Sequence, residues 1–267
     1  MTEARLELAD PQQEVERIEA FIRERLERSG RRLGVIALSG GVDSALVATL
    51  AVRALGHERV VSQALPDDEG SAAADEEDAA QLAQELNITH RRISLAEPLG
   101  ALHRALSQVG LMGNSAAWAN VKPRLRMIVN YFVANSLDGL VLGTGNKSEL
   151  LLGYFTKFGD GGVDLLPIGQ LYKAQVRQMA RHLHLPPAII AKQPSAGLWP
   201  GQTDEEELGG SYEQIDLILH CLHDRRLSAE ETIRELALDP TLVQRVAQMF
   251  RQSEHKRRMP LMPGAQQ

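Results

Sequence analysis

The sequence predicts an α/β fold in which helices cover both faces of a doubly wound, mostly parallel sheet. Three observations support this prediction. Four short apolar segments, at 33–38, 59–65, 90–95 and 137–144, have the length of buried strands. Helix-like segments separate them, and this alternation is typical of parallel strands joined by helical crossovers. A chain of 267 residues with 43% hydrophobic residues can bury a core of that kind.

The helices are predicted from apolar spacing and from the residues that end them. In the first helix Val15, Ile18, Ile22 and Leu26 recur at helical spacing, and Gly56 closes the second. The chain is expected to be mostly helical from residue 173 onward. The helices predicted before that point are 11–28, 42–55, 75–86, 97–108 and 121–136.

Two long irregular segments interrupt this pattern. The segment 66–78 is acidic and rich in small residues, and 193–211 is rich in Gly and Pro. Long loops in such a fold are commonly lids over a site, so we expect 66–78 and 194–211 to be mobile without ligand and ordered with it. Trp199 is expected to pack against the closed site. Plain surface disorder is the alternative.

Composition and charge narrow the class of protein. The formal net charge of −6 disfavours a long nucleic acid as partner. No apolar segment reaches the length of a membrane span, and no signal peptide is recognisable, so we expect a cytoplasmic protein with no membrane partner. The single cysteine, Cys221, excludes an intrachain disulfide and a Cys-rich metal site.

The segment SGGVDS, at 39–44, carries the first functional signal. It lies between the first strand and a helix, where doubly wound sheets bind their ligands. Gly40 and Gly41 allow the backbone to approach a phosphate closely, and the N–H groups of the helix start favour an anion. Asp43 would repel that phosphate unless a divalent cation lay between them, so the motif implies Mg²⁺. A Gly-Gly turn with a purely structural role is the alternative.

SGGVDS resembles the pyrophosphate-binding loop of the ATP pyrophosphatase superfamily, whose fold is Rossmann-like, of the adenine nucleotide alpha hydrolase type. Three further stretches, GTGNKSELLLGYFTKFGDGGVDLLPIGQLYK at 143–173, PSAGLWPGQTDEEELG at 194–209 and HKRR at 255–258, resemble ammonia-dependent NAD synthetase. The likeness runs from about residue 14 to 258. It implies a homodimeric carbon–nitrogen ligase that converts deamido-NAD, ATP and ammonia into NAD, AMP and pyrophosphate through a deamido-NAD adenylate, the last step of NAD biosynthesis.

The resemblance also implies one NAD synthetase domain over residues 1–267. It would consist of an N-terminal helix at 1–30, an α/β core with a helical C-terminal part at 31–258, and a tail at 259–267. A glutaminase domain is not expected, because the only cysteine, Cys221, lies on an apolar helical face and is expected to belong to the core. Free ammonia or a separate glutaminase is therefore the expected nitrogen source.

The resemblance assigns roles residue by residue. Asp43 and Lys173 are the catalytic residues that it implies. Asp160 is a third catalytic candidate, because a carboxylate near the site could bind ammonium and help to remove its proton. The ligands implied for Mg²⁺ are Asp43 and Glu149; those for ATP are Ala37, Leu38, Ser39, Gly40, Gly41, Val42, Asp43, Ser44, Thr144, Lys173 and Ser195; and those for deamido-NAD are Arg124, Lys157, Asp164, His255 and Lys256.

Several assignments have a plainer alternative. Arg124 could be a helix-surface residue, and Glu149 a first-turn charge favoured by the helix dipole. His255 and Lys256 could be basic residues that complement the C-terminus of a helix. The rival functions are another superfamily enzyme, such as a GMP synthetase fragment or a tRNA-modifying adenylase, and a non-catalytic nucleotide-sensing module. A sensing module would not need Asp43, Glu149 and His255 together.

Overall fold

A parallel sheet organises the chain. The computed structural model describes residues 6–67, 73–195, 203–260 and 262–263. The strand order is β3-β2-β1-β4 with every pair parallel, so β1 lies between β2 and β4. The predicted fold class is confirmed. Within the described residues the sheet has four strands: β1 Leu33–Ala37, β2 Val60–Ala64, β3 Thr89–Arg92 and β4 Gly139–Val141.

Helices connect the strands and make up most of the C-terminal part. None of those in the described ranges combines the length and the apolar character needed to cross a bilayer. The α-helices of these ranges are α1 Pro11–Ser29, α2 Val42–Leu55, α3 Ala73–Glu85, α4 Ala96–Gln108, α5 Ser115–Leu137, α6 Lys147–Leu152, α7 Lys173–His182, α8 Pro187–Ala191, α9 Asp204–Leu208, α10 Tyr212–Leu219, α11 Ala229–Leu236 and α12 Pro240–Gln252.

The strand β1 is buried on both of its faces. Ile36 belongs to a core that it shares with the apolar sides of α1, α2 and α7. Val35, the preceding residue, packs in a separate core with Val133 and Ala134 of α5. Successive strand residues point to opposite faces of a sheet, so helices cover both faces, as a doubly wound fold requires. The stripe predicted for the first helix is buried as expected: Val15, Ile18, Ile22 and Leu26.

A second hydrophobic core holds the helical C-terminal part. Leu151 and Leu152 of α6 join it, together with Tyr212 and Ile215 of α10 and Val243 of α12. Because α6 follows β4 closely, this core brings the C-terminal helices to the edge of the sheet at which the strands end. Residues at the starts of α6 and α7 therefore reach the first turn of α2, directly after the loop that follows β1.

The structure differs from the sequence-based prediction in several places, among them the shorter strands β3 and β4 and the segment 73–78, which belongs to α3 and not to the predicted loop 66–78. Helix α5 begins at Ser115, earlier than the predicted 121, because the side chain of Asn114 accepts a hydrogen bond from the Ala117 N–H at 2.8 Å and caps the helix. Helix α6 was not predicted, and α9 lies inside the segment 193–211 that was expected to be a loop. Trp199 and the parts of the predicted lids at 68–72 and 196–202 lie outside the described residues.

We predict that Gly153→Ala destabilises the fold far more than Gly30→Ala. Both glycines have φ of +68°, which costs an alanine roughly 1–2 kcal/mol. A Cβ on Gly153 would lie 2.1 Å from Cβ of Ser253, whereas Gly30 has no atom within 4 Å of that position. Urea unfolding of the two variants measures the difference. Equal losses in the free energy of unfolding would contradict the close contact between α6 and the residues after α12.

Candidate active site

The loop after β1 presents uncapped backbone N–H groups. Gly41 is the N-cap of α2, in extended conformation, and it makes no side-chain cap. The loop is shaped instead by Ser44, whose Oγ donates to the Gly41 carbonyl at 3.0 Å and accepts from the Ser39 N–H at 3.2 Å. The first N–H groups of α2 therefore remain available to an anion, which the helix dipole favours at this end. This arrangement fits the phosphate loop predicted from SGGVDS.

A buried ammonium group joins two carboxylates beside this loop. The Nζ of Lys173 donates to Oδ2 of Asp43 and, at 3.2 Å, to Oε1 of Glu149. Lys173 is only 2% exposed. Each of the three residues lies in the first turn of its helix, Asp43 in α2, Glu149 in α6 and Lys173 in α7. Three helix N-termini thus converge at one point, and each favours negative charge there.

Asn146 links the two carboxylates. Its Nδ2 donates to Oδ1 of Asp43 at 3.0 Å, and its Oδ1 accepts from the Glu149 N–H at 3.0 Å. Glu149 returns the interaction by accepting from the Asn146 N–H at 3.2 Å, which completes a capping box. Asn146 is fully buried. Sequence reasoning missed this residue, although the spacing Asn-x-x-Glu at 146–149 is the signal of such a cap.

The charges of this cluster do not balance. Burial raises the pKa of Glu149 to about 7, although Lys173 opposes the shift. Burial also lowers the pKa of Lys173, but the carboxylates of Asp43 and Glu149 outweigh that effect and raise it overall, so Lys173 stays protonated. One ammonium group thus faces two carboxylates. A third carboxylate, Asp204, lies close enough to interact electrostatically with Lys173 and Asp43. With a pKa near 7, Glu149 is partly protonated at neutral pH, and a further cation would favour its ionised form.

Asp204 is a second functional candidate, after Asn146, that sequence reasoning did not identify. The residue is 3% exposed, and its Oδ2 accepts a hydrogen bond from the hydroxyl of Tyr212 at 3.0 Å. Its buried Oδ1 has no hydrogen-bond partner among the described residues. Burial raises the pKa of Asp204, and the charge of Lys173 opposes that change. In the sequence Asp204 belongs to an acidic run that is typical of a solvated surface, so nothing there marked it as buried.

The carboxylate oxygens beside Lys173 supply some, but not all, of the ligands that a hard divalent cation needs. Asp43 and Glu149 supply carboxylate oxygens of the kind that Mg²⁺ prefers. In the described ranges no group of three or more His, Cys, Asp or Glu side chains forms a complete metal centre. Mg²⁺ is commonly held by one or two carboxylates together with the phosphate oxygens of a substrate. The donor set therefore fits a cation that arrives with a phosphorylated substrate.

A basic cluster forms from three separate parts of the chain. Arg124 of α5 donates from Nη2 to the carbonyl of Lys157 at 3.3 Å. Lys157 in turn donates from Nζ to the carbonyl of His255 at 2.6 Å. Lys256 donates from Nζ to the carbonyls of Gly153 and Phe155, each at 2.7 Å. Four of the five residues that the sequence assigned to deamido-NAD are thus brought together: Arg124, Lys157, His255 and Lys256.

Two aspartates lie in the same part of the fold. Oδ1 of Asp160 accepts from the Thr156 N–H at 2.8 Å. Burial of its carboxyl group raises the pKa of Asp160, and the charge of Lys256 opposes this shift. The residue as a whole remains exposed to solvent. Asp164 accepts from the hydroxyl of Tyr131 at 3.1 Å and from the Val141 N–H at 2.8 Å. Asp164 therefore also holds its loop against β4, a role that sequence reasoning did not include.

The remaining predicted residues differ in their exposure to solvent. Ala37 ends β1 and Leu38 is buried next to it, while Thr144 is half-buried in the loop after β4. Ser195 is exposed at the end of a described range. Cys221 is buried, as predicted, and burial raises the pKa of its thiol. A thiol with a raised pKa is a poor nucleophile, which agrees with a core residue.

Comparison with known proteins identifies the family. The family model described as NAD synthase matches residues 14–260. An NH(3)-dependent NAD(+) synthetase of Archaeoglobus fulgidus is 48% identical over 92% of this chain and 94% of that protein. The solved structure of an NMN synthetase from Francisella tularensis superposes with a TM-score of 0.83 at 34% identity, and that of an NH3-dependent NAD synthetase from Campylobacter jejuni with 0.80 at 32%. Each structural match covers 96% of this chain and 99% of the other. The resemblance seen in the sequence is confirmed, and the chain belongs to the NAD synthase family.

Proposed function

We propose that this protein is an ammonia-dependent NAD synthetase, which amidates deamido-NAD with ATP and ammonia and releases AMP and pyrophosphate. The observation that carries the proposal is the contact of Lys173 with Asp43 and Glu149 beside the uncapped start of α2. Membership of the NAD synthase family decides against the GMP synthetase and tRNA-modifying alternatives. We also propose that residues 1–267 form one NAD synthetase domain, of which 31–258 are the α/β core with its helical C-terminal part.

The first half of the reaction would activate a carboxylate. Ammonia cannot displace an oxide ion from a carboxylate directly. Transfer of AMP to a carboxylate oxygen supplies a better leaving group, AMP itself. Attack on the α-phosphate of ATP places negative charge on the departing pyrophosphate. Lys173 and the N–H groups at the start of α2 lie where that charge would be stabilised, and they are already oriented before the reaction.

Mg²⁺ is the cation that we propose for Asp43 and Glu149. When bound, it would offset the charge that develops on the phosphates. The support is the donor set: the carboxyl groups of Asp43 and Glu149 meet at one point, and Lys173 alone could not balance them together with Asp204 if all three were ionised. The two carboxylates would hold the cation, and Asn146 would keep their separation constant.

The second half of the reaction would use the basic cluster and Asp160. Arg124, Lys157 and Lys256 lie together and could pair with the phosphates of deamido-NAD. Ammonia is mostly ammonium at neutral pH, so a carboxylate with a raised pKa suits both its binding and the removal of its proton. Asp160 has such a pKa and an exposed surface, and we propose it for this role.

We further propose that the protein is a homodimer joined through α4 and α5. Helix α4 has no buried residue, although its sequence is strongly amphipathic. Large apolar side chains after α4 and on α5 are exposed in the single chain: Val109, Leu111, Met112, Ile128 and Phe132. Apolar surfaces of this kind are typical of interfaces between subunits. A cytoplasmic location stays a prediction.

A direct assay tests the proposed activity. Pyrophosphate and NAD should form together from ATP, Mg²⁺, deamido-NAD and ammonium, and glutamine should not replace ammonium because Cys221 is buried. Amidation of the mononucleotide is the second candidate, since one similar structure is that of an NMN synthetase. The assay therefore compares deamido-NAD with nicotinate mononucleotide. A preference for the mononucleotide would overturn the proposed substrate, and absence of both products would overturn the proposed activity.

We predict that Asp43→Asn and Glu149→Gln each slow pyrophosphate release about a hundredfold or more, because both carboxylates are needed to hold the cation on the phosphates. Saturating Mg²⁺ should not restore the rate. The matched control is Glu19→Gln, which removes only a surface ion pair with Arg53 and should leave the rate unchanged. Near-normal rates in both site variants would rule out the metal assignment.

We predict that Phe132→Asp dissociates the dimer. Phe132 is 72% exposed in the single chain, and a carboxylate there would have to be buried without a partner in the interface. Sedimentation should shift from about 59 kDa, twice the chain mass of 29.4 kDa, to the monomer. Phe132→Leu is the control and should remain dimeric. A wild-type protein that sediments as an active monomer would contradict the proposal.

A further inference from the structure

Lys192 connects the phosphate loop to two helices. It follows the last residue of α8, and its Nζ donates to the carbonyl of Gly40 at 3.1 Å. The same ammonium group donates to Oδ1 of Asp75 at 2.6 Å and to Oδ2 of Asp78 at 2.5 Å, both in the first part of α3. One side chain therefore holds together α8, α3 and the loop between β1 and α2.

Gly40 is enclosed by the same group of residues. Its φ is +77°, and a Cβ added to it would lie 2.3 Å from the carbonyl oxygen of Asp75. The backbone of α3 therefore lies directly against the loop, and only glycine fits between them. The carbonyl of Gly40 is the part of the residue that Lys192 contacts.

The contact determines the direction of the next N–H group. In a trans peptide the carbonyl of one residue and the N–H of the following residue point in opposite directions. Lys192 holds the carbonyl of Gly40 on its own side, so the N–H of Gly41 must point to the other side. There it donates a hydrogen bond to Oγ of Ser39 at 3.3 Å, a contact that a phosphate oxygen would have to share or replace. A reversed peptide would present the Gly40 carbonyl, a negative dipole, to a bound phosphate.

We propose that Lys192 is a positioning residue that locks the peptide between Gly40 and Gly41, so that the loop presents an N–H group and not a carbonyl to the pyrophosphate part of ATP. The proposal rests on the proposed function, because it requires that the loop bind phosphate. It gives Lys192 no contact with the substrate.

The surroundings of Lys192 support positioning over direct phosphate binding. Its ammonium group already faces two carboxylates, so the group of Lys192, Asp75 and Asp78 carries a net negative charge and would not attract an anion. The two aspartates instead orient the ammonium toward the carbonyl of Gly40. Removal of the two carboxylates distinguishes the two roles. A lysine that binds phosphate would become free to do so, whereas a positioning lysine would lose the groups that orient it.

The test measures binding of inorganic pyrophosphate with Mg²⁺ by calorimetry, together with the KM for ATP and kcat. We expect Lys192→Met to weaken pyrophosphate binding about tenfold or more, the scale of one charge-assisted hydrogen bond. The KM for ATP should rise, and that for deamido-NAD should not. Lys192→Arg should restore part of the affinity, since a guanidinium can donate to the same three oxygens. Arg53→Met, which removes an ion pair away from the loop, is the matched control.

The change in pyrophosphate affinity of the double variant Asp75→Asn/Asp78→Asn decides between the two roles. Weaker pyrophosphate binding supports the positioning role, and tighter binding overturns it in favour of direct contact with phosphate. Urea unfolding checks that Lys192→Met is folded. If the folded variant binds pyrophosphate as tightly as the wild-type protein does, the proposal is overturned. If the wild-type protein itself binds no pyrophosphate, the proposed function fails, and this proposal fails with it.

Discussion

The burial of one ammonium group constrains the site more than any other interaction. Transfer of Lys173 from water to a position that is 2% exposed costs several kcal/mol unless charged partners surround it. Those partners, Asp43 and Glu149, come from two other helices. The starts of α2, α6 and α7 must therefore meet with little freedom, since loss of both contacts would leave the buried ammonium group without a charged partner. A phosphate that enters this point meets groups that are already oriented, which is the condition for electrostatic catalysis.

A second layer of hydrogen bonds holds the first turn of α7 in place. Asp216 of α10 is buried and accepts from the Ala174 N–H at 2.9 Å and from the hydroxyl of Ser148. Ser148 in turn accepts from the Lys173 N–H at 2.9 Å. The C-terminal helices thus anchor Lys173 through the backbone while Asp43 anchors it through the side chain. This explains why the sheet alone does not complete the site and why the helical part is needed.

Helix α6 relates the two halves of the proposed reaction. Glu149 lies in its first turn, and Gly153, its C-cap, accepts a hydrogen bond at its carbonyl from Lys256 of the basic cluster. Six residues of helix span about 9 Å. The phosphate site and the basic cluster are therefore fixed at opposite ends of one short rigid element.

The sequence by itself determined the features that depend on neighbours along the chain. The alternation of strands and helices, the buried stripe of α1 and the chemistry of the SGGVDS loop follow from local spacing, because periodicity and turn residues act over a few positions. The basic cluster came from resemblance and not from spacing. Tertiary structure alone decided which distant groups meet: Asn146 with Asp43 across 103 positions, Lys192 with Gly40 across 152, and the burial of Asp204. Such contacts depend on packing and on the free-energy cost of an unpaired buried charge. Neither can be read from residues that are adjacent in the sequence.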